Sequence, residues 1–292
     1  MQQQGLQNFS PPPPANGLES FRSAVWSRLN DETLELPLLP AVAGRVLSLA
    51  RSQDTRAAEL ARAIHSAQSL VSHVLKVANS AAYGWNAQIV SLQQAVARLG
   101  FELIAEIALA VAVGGRLFEL DRRKAELQKL WSHSGAAAFY AQEAACLLRR
   151  NTETAFLCGL LHDIGKPVVL EVVQIVEKSL GSELESEAAV LLMEEFGDRV
   201  GAQLAREWRF PDQVQEAIAC RYCYEKASHY PDEAKTTCLA DLLSDHMLDE
   251  APDEDVLRAH PVLVDLNLYP DDVDSLLSKK ESVLETVESM KL

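Results

Sequence analysis

The chain has 292 residues, of which 48% are hydrophobic but only 6% aromatic, and a formal net charge of −15. This negative charge opposes both the phosphate backbone of nucleic acids and anionic membrane surfaces, so we expect no direct nucleic-acid partner and no membrane association. The N-terminus lacks the basic and apolar regions of a signal peptide, and no apolar run reaches the length of about 18 residues that a membrane span needs, which predicts a cytoplasmic protein.

The N-terminal part is predicted to be a tail followed by helices. Residues 1–17 contain Gln, Asn, Gly and four consecutive prolines, a composition that cannot bury enough apolar surface to become ordered. Apolar residues at helical spacing then indicate an amphipathic helix over residues 18–29. A bundle of five short helices follows, at residues 41–50, 55–68, 69–84, 92–99 and 101–117.

Local signals near residues 79–100 predict how two of these helices begin and end. Ser91 and Gln94 have the spacing of a capping box, and Gly100 is placed to close the helix that they start. Three residues at the end of the preceding helix are expected to make hydrogen bonds between helices, a partner or ligand surface being the alternative. They are Asn79, Ser80 and Tyr83.

The rest of the chain also shows the helical period, and polar stretches mark the turns. Predicted helices span residues 124–149, 154–161, 167–180, 183–196, 198–208, 212–227 and 233–248, and the acidic end carries two more at 262–268 and 273–290. No segment alternates apolar and polar residues as a half-buried strand does. The fold class is therefore all-α, which excludes P-loop, dinucleotide-binding and receiver folds, so any phosphoacceptor must come from another protein.

One adjacent His-Asp pair lies inside an otherwise apolar helical run, in the stretch 159–167, GLLHDIGKP. We expect Gly165 to end the helix that carries His162 and Asp163, and Pro167 to lie in the first turn of the next helix. An unpaired imidazole or carboxylate at a buried helix end costs on the order of several kcal/mol. A metal ion or a hydrogen-bond network must therefore supply partners.

Two imidazoles and two carboxylates occur on three predicted apolar helices: His133, His162, Asp163 and Asp241. A mixed nitrogen and oxygen donor set with room for water suits a six-coordinate divalent metal. We therefore consider one divalent ion, Fe, Mn, Ni or Co, or else Mg, held by these four residues. The alternative is a hydrogen-bonded network of the same side chains that fixes the core packing without metal.

The order His, His-Asp, Asp and the motif GLLHDIGK resemble the HD superfamily of metal-dependent phosphohydrolases. Three upstream blocks resemble the HDOD module, the HD-related output domain of bacterial signalling proteins: LPLLPAVAGRVLSLA, AIHSAQSLVSHVLKVANSAAYG and IVSLQQAVARLGFELI. The resemblance covers residues 36–243. It implies an all-helical fold in two parts, an N-terminal bundle over residues 18–120 and an HD-like bundle over residues 121–250, with an acidic helical extension at 251–292.

The sequence departs from the family pattern at two places. Ala67 and Gln68 stand where family members usually have an acidic residue and a proline. Arg221 and Tyr222 stand where many HDOD and HD-GYP proteins have two histidines, so we do not expect a two-metal cyclic-dinucleotide phosphodiesterase site. The four-ligand pattern of the mononuclear HD enzymes is matched.

The resemblance leads us to expect a bacterial signal-transduction output or response-regulator component, non-catalytic, that acts through signalling proteins and can form a homodimer. The alternative is a metal-dependent phosphohydrolase acting on a nucleotide or another phosphomonoester, in which Asp163 orients a metal-bound water and Lys166 faces the substrate phosphate. Arg149 and Arg221 are the other cations expected near such a substrate. A third alternative is a sensor of a small ligand in the cleft between the two helical parts.

The five cysteines are scattered through a chain too large to need disulfides, which fits a reducing compartment. Cys220 and Cys223 form a C-x-x-C pattern inside a predicted helix. Without a second pair, this pattern does not predict a metal or redox site.

Overall fold

The computed structural model describes residues 17–31, 37, 40–50, 57–65, 68–79, 89–117, 123–248 and 253–290. Within these ranges all regular elements are helical and no strand occurs, which confirms the all-α prediction. No helix of these ranges is both long and apolar enough to cross a bilayer. Residues 1–16 of the predicted tail, as well as Ser80 and Tyr83, lie outside the described residues, and Gly17 begins the first helix.

The N-terminal helices are close to the predicted ones. They are α1 (Gly17–Leu29), α2 (Ala41–Ala50), α3 (Ala57–His65), α4 (Gln68–Ala78), α5 (Leu92–Leu99) and α6 (Phe101–Leu117). Ser91 accepts a hydrogen bond from the Gln94 backbone, and Gln94 accepts one from the Val90 backbone. Gly100 has a φ of 90° and closes α5 through a bond to Val96, so both predicted ends of this helix are confirmed.

The remaining elements begin with α7 (Lys124–Leu147), α8 (Thr152–Leu161), α9 (Gly165–Leu180), α10 (Ser186–Glu207) and α11 (Asp212–Cys220). A 3-10 helix (Arg221–Lys226) and α12 (Pro231–Met247) follow. Four short helices end the described chain: α13 (Glu254–Arg258), α14 (Pro261–Asp265), α15 (Pro270–Leu277) and α16 (Lys280–Met290). The extension therefore has four helices where two were predicted, and its last helix packs on both α4 and α7.

Helices α7, α8 and α12 pack on one another at the centre of the molecule, and α6 joins the N-terminal helices to α8. The buried side chains of both halves form one continuous apolar core. Gly159 allows a close approach within it, because a Cβ atom there would overlap the backbone of Ala137 on α7. The end of α8 is thereby held against the middle of α7.

Gly165 does not end a helix, so that prediction was wrong. It is the first residue of α9, and a Cβ atom at Gly165 would overlap the carbonyl oxygen of Gly197 and the backbone nitrogen of Gly201. Gly197 likewise does not separate two helices, because α10 runs without a break through the predicted boundary. Both glycines serve a close crossing of α9 and α10.

The predicted helix over residues 212–227 is also interrupted. It turns into the 3-10 helix at Arg221, and Cys223 has non-helical backbone angles (φ −141°, ψ 48°). All five cysteines are free thiols. The break changes the direction of the chain and brings Arg221 into the core, where it is 1% exposed.

Asn79 connects the end of α4 to Ile89, which lies just before α5, as expected for a structural role. Its Nδ2 donates to the carbonyl oxygens of Leu75 and Ile89, both at 2.8 Å, and its Oδ1 accepts from the Ile89 nitrogen at 2.8 Å. The single side chain therefore ties the end of α4 to the chain just before α5.

Replacing Asn79 with aspartate is expected to lower the free energy of unfolding by about 1–2 kcal/mol, because a carboxylate oxygen would face two carbonyl oxygens in place of the donor. Urea denaturation of the two proteins measures the difference. Gln93→Glu, on the exposed face of α5, makes the same change of charge and is expected to alter stability by less than about 0.5 kcal/mol. Equal losses in the two variants would contradict this role of Asn79.

Candidate metal centre

The structure brings all four predicted site residues together. His133 lies in the middle of α7, His162 and Asp163 lie in the turn after α8, and Asp241 lies on α12. All four are buried, none more than 6% exposed. One donor atom from each can be chosen so that all lie within 4.8 Å of one another.

Three of the donor atoms form a nearly equilateral triangle. His133 Nε2 lies 3.2 Å from His162 Nε2, and Asp241 Oδ1 lies 2.9 and 3.0 Å from these two nitrogens. Asp163 Oδ2 is 3.4 Å from His162 Nε2 and 3.9 Å from His133 Nε2. An octahedral ion about 2.1 Å from its donors holds neighbouring donors about 3.0 Å apart. The separations within the triangle fit such an ion.

Acceptor oxygens behind the two imidazoles favour the tautomers whose lone pairs face the centre. His162 Nδ1 lies 2.5 Å from the carbonyl oxygen of Gly159, which can only accept, so Nδ1 carries the proton. His133 Nδ1 lies 3.3 Å from Asp245 Oδ1. Burial raises the pKa of Asp245 to about 6, so at neutral pH its carboxylate is ionised and can accept from His133. Neutral imidazoles in these tautomers present both Nε2 lone pairs as metal ligands.

Two lone pairs 3.2 Å apart need a cation between them. Although burial opposes a charge on His162, Asp163 and Asp241 raise its pKa to about 9. When no metal is bound, His162 therefore carries a second proton at neutral pH and is positively charged. The two carboxylates thus favour a positive charge at the centre, which either a metal ion or the second proton of His162 can supply.

Arg221 lies beside the outer oxygens of both carboxylates and forms a hydrogen bond with that of Asp163. Its Nη2 donates to Asp163 Oδ1 at 2.6 Å, and its Nε lies 3.5 Å from Asp241 Oδ2. Its Nη1 reaches the carbonyl oxygen of His162 and a carboxylate oxygen of Asp198, both at 2.8 Å. The inner oxygens, Asp241 Oδ1 and Asp163 Oδ2, face the imidazoles, and Asp163 Oδ2 also lies near Lys166. Arg221 therefore orients the ligands, and its guanidinium is already paired with carboxylate and carbonyl oxygens.

The other two predicted cations are Lys166, which lies beside the centre, and Arg149, which does not. Lys166 Nζ lies 2.9 Å from Asp163 Oδ2 and 2.7 Å from Glu194 Oε1, so it already pairs with two carboxylates. Asp163 Oδ2 accepts no hydrogen bond of good geometry within the described chain, although Lys166 is near. Arg149 follows the end of α7, sixteen residues beyond His133, which is about 24 Å along a helix. It cannot belong to this site.

A cavity of about 750 Å³ opens onto the centre. His133, Asp163 and Asp241 form part of its wall, and half-exposed Val190 and Leu191 on α10 form an apolar part. Six acidic residues and only two lysines, Lys129 and Lys166, line the cavity. The acidic residues are Glu126, Asp163, Glu187, Glu194, Asp241 and Asp245.

Two residues beside the candidate centre, Asp245 and Arg221, were missed or misread in the sequence. Asp245 lies four residues after Asp241, and this spacing on a helix places both on one face, so it could have been found. The role of Arg221 has no such signal, because only the break after α11 turns its side chain inward.

Comparisons with known proteins identify the family of the chain. A family model described as the HDOD domain matches residues 36–224, more than half of the chain. An uncharacterised protein of Treponema pallidum (strain Nichols) is 24% identical over 254 residues, which cover 83% of this chain and 48% of that protein. The chain thus spans about half the length of this curated relative.

Two solved structures share the fold. A candidate metal-dependent phosphohydrolase from Shewanella amazonensis SB2B has a TM-score of 0.72 and 23% identity, covering 92% of this chain and 99% of its own. An HDOD domain protein of unknown function from Geobacter sulfurreducens has a TM-score of 0.70 and 21% identity, covering 94% and 99%. The match of the family model to residues 36–224, together with this fold, shows that the chain belongs to the HDOD domain family.

Proposed function

We propose that the protein is a signal-transduction regulator that holds one divalent metal ion at the His133–His162–Asp163–Asp241 centre and acts by binding a partner protein, without turnover. The observation that carries the proposal is the charge of the cavity, which has six acidic residues and two lysines. A bound divalent ion would still leave this wall net negative. A phosphate ester is therefore repelled where an enzyme of this superfamily would have to bind it.

The cations near the centre support the same conclusion. Arg221 forms ion pairs with Asp163 and Asp198. Lys166 forms ion pairs with Asp163 and Glu194. A substrate phosphate would have to replace these carboxylates. A metal in the centre would instead neutralise Asp163 and Asp241 and tie α7, the turn after α8 and α12 to one another. The donor set, two imidazoles and two carboxylates, suits Mn, Fe, Co or Ni better than Mg.

Metal binding is expected to be stoichiometric and to depend on the centre. After removal of metal, titration with Mn²⁺ followed by calorimetry and elemental analysis should give one ion per chain. His162→Ala and Asp241→Asn are each expected to weaken binding at least about 100-fold, since each removes a ligand. His229→Ala removes an exposed histidine away from the centre and should leave the affinity unchanged. Failure of Mn²⁺, Fe²⁺, Co²⁺ and Ni²⁺ to bind would favour the metal-free network.

A phosphohydrolase is the second candidate, because the cavity reaches the donor atoms and its volume suits a nucleotide. In that case the metal would lower the pKa of a bound water that Asp163 orients. The metal-loaded protein should be incubated with p-nitrophenyl phosphate and with nucleoside monophosphates. Multiple turnovers that Asp163→Asn abolishes would replace the regulatory proposal with the enzymatic one.

A further inference from the structure

A second cavity lies where the N-terminal helices meet the rest of the molecule. Its volume is about 230 Å³, and it is lined from α2 and α6 on one side and from α8 and α11 on the other. It does not share a lining residue with the cavity at the metal centre. Cavities at the meeting of two structural units, with an apolar wall and few polar groups, are the usual sites of small ligands.

The wall of this cavity is apolar on all four helices. Leu47 on α2, Leu109 on α6, Leu157 on α8 and Val214 on α11 each line it, and none is more than 7% exposed. These side chains are buried yet leave a space open between them. An apolar ligand body would gain the dispersion contacts that such a void forfeits.

Two carboxylates line the same cavity, one from each side. Glu102 lies on α6 and Glu153 on α8. Neither makes a hydrogen bond or an ion pair with another described residue, whereas Asn151, also in the lining, is used to cap α8 through the Thr154 nitrogen. The acidic groups offered to a ligand are therefore these two glutamates, which favour a positive charge.

We propose that this cavity binds a small organic amine, with the ammonium group paired to Glu102 and Glu153 and the hydrocarbon body against the apolar wall. The volume equals that of about eight water molecules at about 30 Å³ each, which limits the ligand to about ten non-hydrogen atoms. The occupant would touch α8, which leads to His162, and α11, which leads to Arg221. Binding here does not depend on metal at the centre.

The probe is phenethylamine, which has an aromatic body and one ammonium group. In the full chain with metal removed, binding is measured by methyl chemical-shift changes at Leu157 and Val214 and by the concentration dependence of those shifts. Neutral 2-phenylethanol and anionic 3-phenylpropionate are expected to bind at least tenfold more weakly. Equal affinity for the amine and the alcohol would overturn the proposal.

The variants test the position of the ammonium group. Glu102→Gln and Glu153→Gln are each expected to weaken phenethylamine binding at least fivefold. Glu187→Gln is the matched control, because it makes the same change in the cavity at the metal centre and should leave the affinity unchanged. If Glu187→Gln weakens binding and the other two variants do not, the amine occupies the wrong cavity and the proposal fails. Loss of metal binding would not affect this result, so the two proposals fail separately.

Discussion

Arg221→Met is expected to lower the free energy of unfolding by about 3–5 kcal/mol, the cost of leaving buried charges without their partner. Arg221 is 1% exposed and its guanidinium is 2.6 Å from Asp163 and 2.8 Å from Asp198. Methionine fills much of the same volume but supplies no charge and no donor. The measurement is urea denaturation in the presence of EDTA, so that metal contributes to neither protein.

Arg258→Met is the matched control for this substitution. Arg258 also pairs with two carboxylates, those of Glu254 and Asp274, but its side chain is 33% exposed. Ion pairs at such a surface contribute little to stability, because water screens the charges and solvates them when a partner is lost. A loss in Arg221→Met no larger than that in Arg258→Met would show that the buried carboxylates do not depend on Arg221.

The helices and the adjacent residues His162 and Asp163 could be predicted from the sequence, because both follow from local patterns. Apolar spacing sets the bounds of α2, α5 and α6, and the His-Asp pair in an apolar run identifies the turn after α8. His133 and Asp241 were found only through the order of motifs in the resemblance. Their separation of 108 residues gives no local signal that the two side chains meet at 2.9 Å.

The errors have one physical cause, which is that the neighbour of a residue in space is not visible in its local sequence. A glycine after a helical run has the same signature whether it adopts a left-handed cap or allows another helix to approach, and Gly165 does the second. An arginine beside a motif looks available to a substrate until its partners are known. In Arg221 those partners are Asp163, Asp198 and the His162 carbonyl.

The arrangement of Arg221 and the two cavities suggests how a regulator without turnover could use this fold. Helices α8 and α11 line the second cavity, for which we propose an amine ligand, and end beside His162 and Arg221, so the two sites share rigid elements. The C-terminal extension adds a third connection, because Tyr224 in the 3-10 helix donates to Asp265 at 2.9 Å and α16 packs on α4 and α7. Binding at one site that moves these helices would therefore change the binding affinity at the other sites.

Gly165→Ala is expected to cost about 3 kcal/mol of stability or more, because the added Cβ overlaps backbone atoms of Gly197 and Gly201 that cannot rotate away. Gly201→Ala should cost less, since its Cβ meets Ile218 Cγ2 at 3.2 Å and the Gly165 nitrogen at 3.3 Å, which are tight contacts and not overlaps. Gly17→Ala should cost nothing, since no heavy atom lies within 4 Å. Urea denaturation of the three variants gives the ranking. If Gly165→Ala were as stable as Gly17→Ala, α9 would not cross α10 at this distance. Lys166, the next residue, would then lose the positioning that holds it beside Asp163 and Glu194.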